Sequence, residues 1–400
     1  MTDDTVVRRD DLAHVWHPYT SIDARESGPP IPIVERAEHI YLHTSDGQRL
    51  IDGVGSWWVS NLGHGYSRVV DAMQRQLAQM PHVSMAGLTH APAATLARRL
   101  CEVAPPGLSR VFYSDNGSTA VEVAVRAAFQ FWQQNGQPER QVFVSLQGAY
   151  HGDTIGTVAV GGIPTFHRVF EPLLFETVQV PSPGDANWAE TAFAEMSKTI
   201  EAQHTRIAAV VVEPLIQGAA GMLMYPPSYL KQLRALCDAH GIFLIVDEVF
   251  TGFGRTGTLF ACEQAGITPD FMCVSKGLTA GTMPFAATLT TDRVYDGFRG
   301  GPDRTFFYGH SYCANPLGCA AALAVLDAFE EDGILDNVAA RGLELDVALA
   351  DIATLPSVVD VRRTGLVAAI QFGGSQSDYL AQTGWRVFHA ALKRGAYLRP

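Results

Sequence analysis

The stretch Ile242-Phe-Leu-Ile-Val-Asp-Glu248 decides the fold. It runs apolar without a break from Ile242 to Val246 and then turns acidic. So short a run of branched and aromatic residues reads as a strand buried on both faces, the pattern of a parallel sheet covered by helices. Similar runs recur on either side: RVFYS (110–114), QVFVSL (141–146), IAAVVVEP (207–214), FMCVSK (271–276) and the stretch around 285–290. Helical segments alternate with them. STAVEVAVRAAFQFW (118–132) is apolar on most faces, and ANPLGCAAALAVLDAFEE (314–331) is long and Ala-rich. SYLKQLRALCDAH (228–240) is amphipathic and stops before Gly241, a usual C-cap. The alternation predicts an α/β fold with a mostly parallel central sheet and a smaller α/β domain beside it.

Outside this core, residues 1–50 read as an irregular arm carrying Pro18, Pro29, Pro30 and Pro32, with short strands near 40–42 and 49–51. The tail after 335 reads as helix, strand (VVDVRRTGLVAAIQF) and helix. The expected division is an arm over 1–60 that joins a small domain over 326–400, around a large domain over 61–325. With 400 residues, two domains are the natural count.

Composition narrows the function. Hydrophobic residues make up 47% and charged residues 18%, which suits a globular chain with a sizeable core. A net charge of −12 argues against general binding to nucleic acid or anionic membranes. The N-terminus, MTDDTVVRRDDL, lacks the apolar run of a secretory signal, and no stretch is long and apolar enough for a membrane span. The six cysteines form no C-x-x-C, so free thiols in a reducing cytoplasm are expected. His64, His82, His90, His151 and His310 are scattered without metal-ligand spacing, and ordinary polar packing is expected for each.

Asp247 lies near the carboxyl end of one apolar strand and Lys276 at the end of the next. Ligands of open α/β sheets sit beyond the carboxyl ends of the strands, so both side chains converge on one pocket. A buried salt bridge would also explain the pair. However, Lys276 stands between Ser275 and Gly277, small neighbours that let a bulky group approach. A desolvated lysine loses basicity and becomes a nucleophile. An acid beside a pyridinium nitrogen is what a pyridoxal electron sink needs. The expected cofactor is therefore pyridoxal 5′-phosphate.

Further features fit around this pair. In Asp115-Asn-Gly-Ser-Thr119, Gly117 and Ser118 open a helix after a strand, an anion site or a plain cap. Tyr150 follows another strand and either stacks on a flat ring or packs as a loop tyrosine. Trp16 to Tyr19 and the pair Trp57-Trp58 are aromatic clusters that line a small-molecule pocket or simply pack. Gly252-Phe-Gly-Arg-Thr-Gly257 has the spacing of a dinucleotide fingerprint. A loop follows it where a helix should open, and Asp270 precedes its strand instead of ending it. A glycine-rich loop beneath a cofactor ring fits better than a nicotinamide site. A nicotinamide oxidoreductase and a binding protein without catalysis remain the alternatives from other classes.

DEVFTGFGRTG (247–257), SKGLTAG (275–281) and EPLIQGAAG (213–221) together resemble the class III aminotransferases of pyridoxal fold type I, over almost the whole chain. HVWHPYT (14–20), GSWW (55–58), DNGSTAVEVAVRAAFQFW (115–132) and GAYHGDTIG (148–156) narrow the resemblance to the branch serving biotin synthesis. The resemblance implies ping-pong transfer of an amino group from S-adenosylmethionine to 8-amino-7-oxononanoate, giving 7,8-diaminononanoate. It implies that Lys276 carries the cofactor and shuttles a proton, and that Asp247 keeps the pyridine nitrogen protonated. Gly117 and Ser118 would cradle the phosphate, and Tyr150 would contact ring and substrate. Tyr19 and Trp57 would shape the substrate pocket, and Arg399 would grip the keto-acid carboxylate. Gly309, His310 and Ser311 match a loop that reaches the cofactor of the neighbouring subunit, so a homodimer with shared sites is implied. The loop reads Gly309-His310-Ser311-Tyr312, closer to relatives that use lysine, whereas GSWW matches the S-adenosylmethionine type. A lysine-dependent or other ω-amino acid aminotransferase is thus the alternative. The family continues for some tens of residues beyond the position of Arg399, so the small domain is expected to be incomplete here.

Overall fold

The computed structural model describes residues 3–373 and 382–399. Pro400, where the early end was expected, lies outside them. Contacts divide the chain into two compact units.

The large unit comprises Trp58–Asn61 and the chain from Ser67 onward through the C-terminal hairpin. Its seven-stranded sheet has the order Leu108–Ser114, Ala286–Thr291, Phe271–Val274, Phe243–Asp247, Ile207–Val212, Val142–Leu146, Thr177–Val180. The last five are mutually parallel. Ala286–Thr291 runs antiparallel to both its neighbours. Every residue of Val142–Leu146, Ile207–Val212, Phe243–Asp247 and Phe271–Val274 is buried, which is why these strands carry no alternation.

The expected helices form. Gly117–Gln134 buries Val121, Ala124, Ala128 and Trp132 against Phe243 and Phe271. Trp132 packs tilted against Phe243, with ring centroids 4.6 Å apart, and donates its indole N–H to the Ala208 carbonyl at 2.9 Å, so its polar atom is satisfied. Full burial of a side chain the size of Val121 or Phe243 contributes about 1.5–3 kcal/mol. Pro227–His240 ends at Gly241, whose φ of 65° is the left-handed cap the sequence called for.

Three expectations change. First, the N-terminal arm is not irregular. Helices span Asp4–His14 and Ile22–Ser27, capped by the side chains of Asp3 on Thr5 N and Ser21 on Ala24 N. The four prolines fall outside the helices and mark their limits. Second, VVDVRRTGLVAAIQF is two antiparallel strands, Val358–Thr364 and Val367–Phe372. The chain reverses at Gly365, where φ is 59° and a Cβ would run into the Arg255 carbonyl. Third, contacts do not divide the chain near 325. The helix Pro316–Glu331 crosses that point unbroken, and Arg362 of the hairpin donates to the carbonyl of Met222 at 2.9 Å.

The small unit holds the chain up to Trp57, Leu62–Tyr66 and the segment from Gln382 onward. Its sheet has the order Val34–Glu38, Tyr41–Thr44, Arg49–Asp52, Ala396–Tyr397. The first three strands are antiparallel, and Ala396–Tyr397 lies parallel to Arg49–Asp52. Among the described residues, no helix is long and apolar enough to cross a membrane. All six cysteines are unbridged.

Candidate active site

Asp247 ends its strand in register with Cys273 of the neighbouring parallel strand, and Lys276 follows three residues after Cys273. The two expected residues therefore emerge side by side at the carboxyl edge of the sheet. Lys276 has φ of 46°, a left-handed conformation unusual for a residue with a side chain. It stays partly accessible, yet the protein packed round its ammonium lowers its pKa to about 8. Asp247 and Glu213 oppose that shift, and the Arg255 charge adds to it. The ring of Phe250 lies 5.6 Å from Lys276 Nζ.

Asp247 is buried and doubly held. Its Oδ2 accepts from His151 Nδ1 at 2.8 Å, and its Oδ1 accepts from Val249 N at 3.1 Å. The His151 side chain is wholly out of solvent, and its Nε2 has no partner among the described residues. The sequence suggested ordinary polar packing for His151. The structure makes it the partner of the site's carboxylate.

Glu213 and Arg255 complete the polar surroundings. Glu213 directly follows the strand Ile207–Val212 and accepts from Tyr150 N at 3.0 Å and Gly218 N at 2.9 Å. Burial raises its pKa to about 7; His151 and the two amides counter the shift, and Asp247 adds to it. Arg255 donates to the Trp58 carbonyl at 2.7 Å, and burial lowers its pKa to about 10. Both residues stood in the quoted motifs without an assigned role. Their clue was a charge inside an otherwise apolar or glycine-rich stretch.

Gly117 and Ser118 open the helix Gly117–Gln134, capped by Asn116, whose Oδ1 accepts from Thr119 N at 3.0 Å. First-turn amides lack partners within a helix, and they point at whatever anion lies before it. A Cβ on Gly117 would strike Val249, so only glycine lets the backbone come this close. Ser118 Oγ accepts from Asp153 N at 3.1 Å. Tyr150 donates to Asp153 Oδ2 at 2.8 Å, with Phe166 edge-on to its ring at 6.2 Å. His310 approaches Asp115 at 3.7 Å, while Gly309 and Ser311 are exposed on the same loop. Gly252–Gly257 runs through turns with no helix opening there, as its poor match to a dinucleotide fingerprint suggested.

In the small unit, three other expected residues come together. The Trp57 ring takes the edge of Tyr19 at 5.7 Å, and the Arg399 guanidinium lies over it at 4.5 Å. Trp57 stands in a left-handed turn: φ is 54° at Gly55, 47° at Ser56, 68° at Trp57 and 70° at Trp58. Each non-glycine residue in this conformation costs roughly 1–2 kcal/mol.

The class III aminotransferase family profile matches residues 22–400. An adenosylmethionine-8-amino-7-oxononanoate aminotransferase of Geobacter sulfurreducens is 45% identical, over 99% of this chain and 91% of its own. The solved structure of the Methanocaldococcus jannaschii protein of that name is 35% identical, with a TM-score of 0.94 over 100% of this chain and 92% of its own. A pyridoxal-phosphate-bound amine transaminase from an uncultivated Pseudomonas species is 33% identical, with a TM-score of 0.88 over 97% and 91% of the two chains. With a lysine of lowered pKa beside a paired carboxylate at the carboxyl edge of a largely parallel sheet, and with this match along nearly its whole length, the chain belongs to the class III aminotransferases, which are pyridoxal-phosphate-dependent transaminases.

Proposed function

We propose that this enzyme transfers an amino group from S-adenosylmethionine to 8-amino-7-oxononanoate, giving 7,8-diaminononanoate for biotin synthesis by a ping-pong route. The names of its relatives at 45% and 35% identity support the substrates. The observation that carries the chemistry is Lys276, held at a pKa of about 8 beside Asp247.

The residues present fit the cofactor. Pyridoxal 5′-phosphate supplies a carbonyl that condenses with amines and a ring that takes up the negative charge left by proton removal. Lys276 offers an amine that is about half neutral at pH 8, and the same amine would take up and return the proton at the substrate carbon. Asp247, oriented by His151, would keep a ring nitrogen protonated by charge complementarity. Gly117, Ser118 and the first-turn amides would hold the phosphate. Tyr150 would contact ring and substrate. Tyr19 and Trp57 enclose the substrate's aliphatic chain, and Arg399 grips its carboxylate with two parallel hydrogen bonds.

The working form in this proposal is a cytoplasmic homodimer in which the loop Gly309–Ser311 of each copy serves its neighbour's site. Phe307 and Tyr312, which flank that loop, are 76% and 61% exposed, an apolar display that suits a subunit interface. The second reading is a lysine-dependent or ω-amino acid donor, favoured by Gly309-His310-Ser311-Tyr312 and by the similarity to an amine transaminase.

Half-reactions on the purified holoenzyme decide between them. S-adenosylmethionine should bleach the visible cofactor band, and 8-amino-7-oxononanoate should restore it with formation of 7,8-diaminononanoate. Bleaching by lysine but not by S-adenosylmethionine would overturn the donor. Failure of 8-amino-7-oxononanoate to restore the band would overturn the acceptor.

A further inference from the structure

Three successive left-handed residues, Ser56, Trp57 and Trp58, persist only where their surroundings over-determine them. Glycine avoids the Cβ clash, but here only Gly55 does so. The other three need holding.

The holding group on the small-unit side is Asp52. It is the last residue of the strand Arg49–Asp52, and its side chain is 1% exposed. Its carboxylate takes three donors: Ser56 N at 3.0 Å, Ser56 Oγ at 2.7 Å and His64 Nε2 at 2.8 Å. His64 is itself fixed by a reciprocal pair of backbone bonds with His39, at 2.9 and 2.6 Å. Asp52 therefore locks the start of the turn to a rigid frame.

The same strand end sets Arg399. Asp52 pairs with Tyr397 in the parallel register, and Gly53 N donates to the Tyr397 carbonyl at 2.9 Å. One residue thus stands where the strand leading into Trp57 meets the strand leading into Arg399. On the large-unit side, Trp58 is held separately by Arg255 on its carbonyl and by Phe250 edge-on to its ring at 5.4 Å.

We infer that Asp52, with Ser56 and His64, is a positioning residue for substrate specificity. It never touches substrate. It keeps Trp57 in the left-handed turn where its ring meets Tyr19 and Arg399, and so sets affinity for an acceptor that pairs an aliphatic chain with a terminal carboxylate. The inference rests on the proposal that Trp57 and Arg399 meet the acceptor.

The test is steady-state kinetics of the holoenzyme with 8-amino-7-oxononanoate at saturating donor, for Asp52→Asn, Ser56→Ala, Trp57→Ala and the double variant Asp52→Asn/Trp57→Ala. Asp52→Asn should raise KM about 10-fold with kcat within about 3-fold, because a remote clamp changes binding and leaves the reacting groups in place. Ser56→Ala should raise KM by about 3-fold in the same pattern, and it carries the test if Asp52→Asn does not fold. The double variant should be no worse than Trp57→Ala alone, since the clamp acts through that ring. A normal KM in both Asp52→Asn and Ser56→Ala, with KM raised in Trp57→Ala, would overturn the clamp and spare the proposed substrate role of Trp57. Effects that multiply in the double variant would also overturn the clamp. A normal KM in Trp57→Ala would instead sink the substrate role itself, and this inference with it.

Discussion

His151 Nδ1 donates to Asp247 Oδ2 across 2.8 Å, with both side chains shut off from solvent. A carboxylate in such a place is held by what it pairs with, because an unpaired buried acceptor loses its hydration without return. His151→Ala should therefore destabilise the protein by roughly 1–3 kcal/mol, as expected for a buried acceptor left unsatisfied. On the proposed role of Asp247 it should also loosen the cofactor, because the carboxylate becomes free to turn away. Denaturant unfolding measures the first effect and cofactor release on dialysis the second. A variant with unchanged stability and retention would show that Val249 N alone orients Asp247.

Lys276 makes a prediction about pH. Its pKa of about 8 means that the neutral amine gains population as pH rises through 8, instead of through the ordinary lysine value near 10.5. The rate at which the apoenzyme takes up pyridoxal 5′-phosphate should climb between pH 7 and 9 and level off, because only the neutral amine attacks. Lys276→Ala should bind the cofactor without the visible band of the lysine-bound form, and its turnover should fall by at least about 1,000-fold. Stopped-flow absorbance over that pH range checks both. A loading rate still rising steeply at pH 10 would place the lysine in a solvent-like setting.

Glu213 titrates in the opposite sense. Its carboxyl is raised from 4.5 to about 7, so the folded protein binds more protons than the unfolded chain between those values. Stability must then fall as pH climbs through this window and stay reduced above it. Glu213→Gln removes the titrating group while keeping an oxygen for the Tyr150 amide. Its melting temperature relative to wild type should rise between pH 4.5 and 7 and flatten above. A difference that does not change with pH would mean that Glu213 titrates normally.

The carboxyl edge that carries Asp247 and Lys276 was legible because burial on both faces erases polar alternation. Residues 243–246 and Phe271–Val274 stood out as unbroken apolar runs with a charge one or two residues beyond them. The hairpin at 358–372 did not, because a single glycine inside a mostly strand-like run carries little signal until φ is known. The N-terminal helices were hidden by their polarity, since Asp4–His14 buries none of its residues and so shows no apolar stripe. His151 was opaque for a different reason. Its partner is 96 residues away, and only the parallel order of the strands brings them together.

Arg399 offers a test of recognition chemistry separate from catalysis. Its guanidinium lies 4.5 Å over the Trp57 ring, so its plane is oriented before substrate arrives. A planar fork can meet a carboxylate with two parallel hydrogen bonds, whereas an ammonium offers a point charge with no fixed geometry. Arg399→Lys should therefore fail to restore wild-type affinity although it keeps the charge. KM for 8-amino-7-oxononanoate should rise by about 10-fold in Arg399→Lys and by about 100-fold in Arg399→Ala, in line with charge-assisted hydrogen bonds worth about 1.5–3 kcal/mol. The donor half-reaction with a simple amine that lacks a carboxylate should keep its rate in both variants, because nothing in that amine calls on the guanidinium. If the amine reaction slows in parallel with the acceptor, Arg399 is holding Trp57 in place and is not itself the carboxylate's partner.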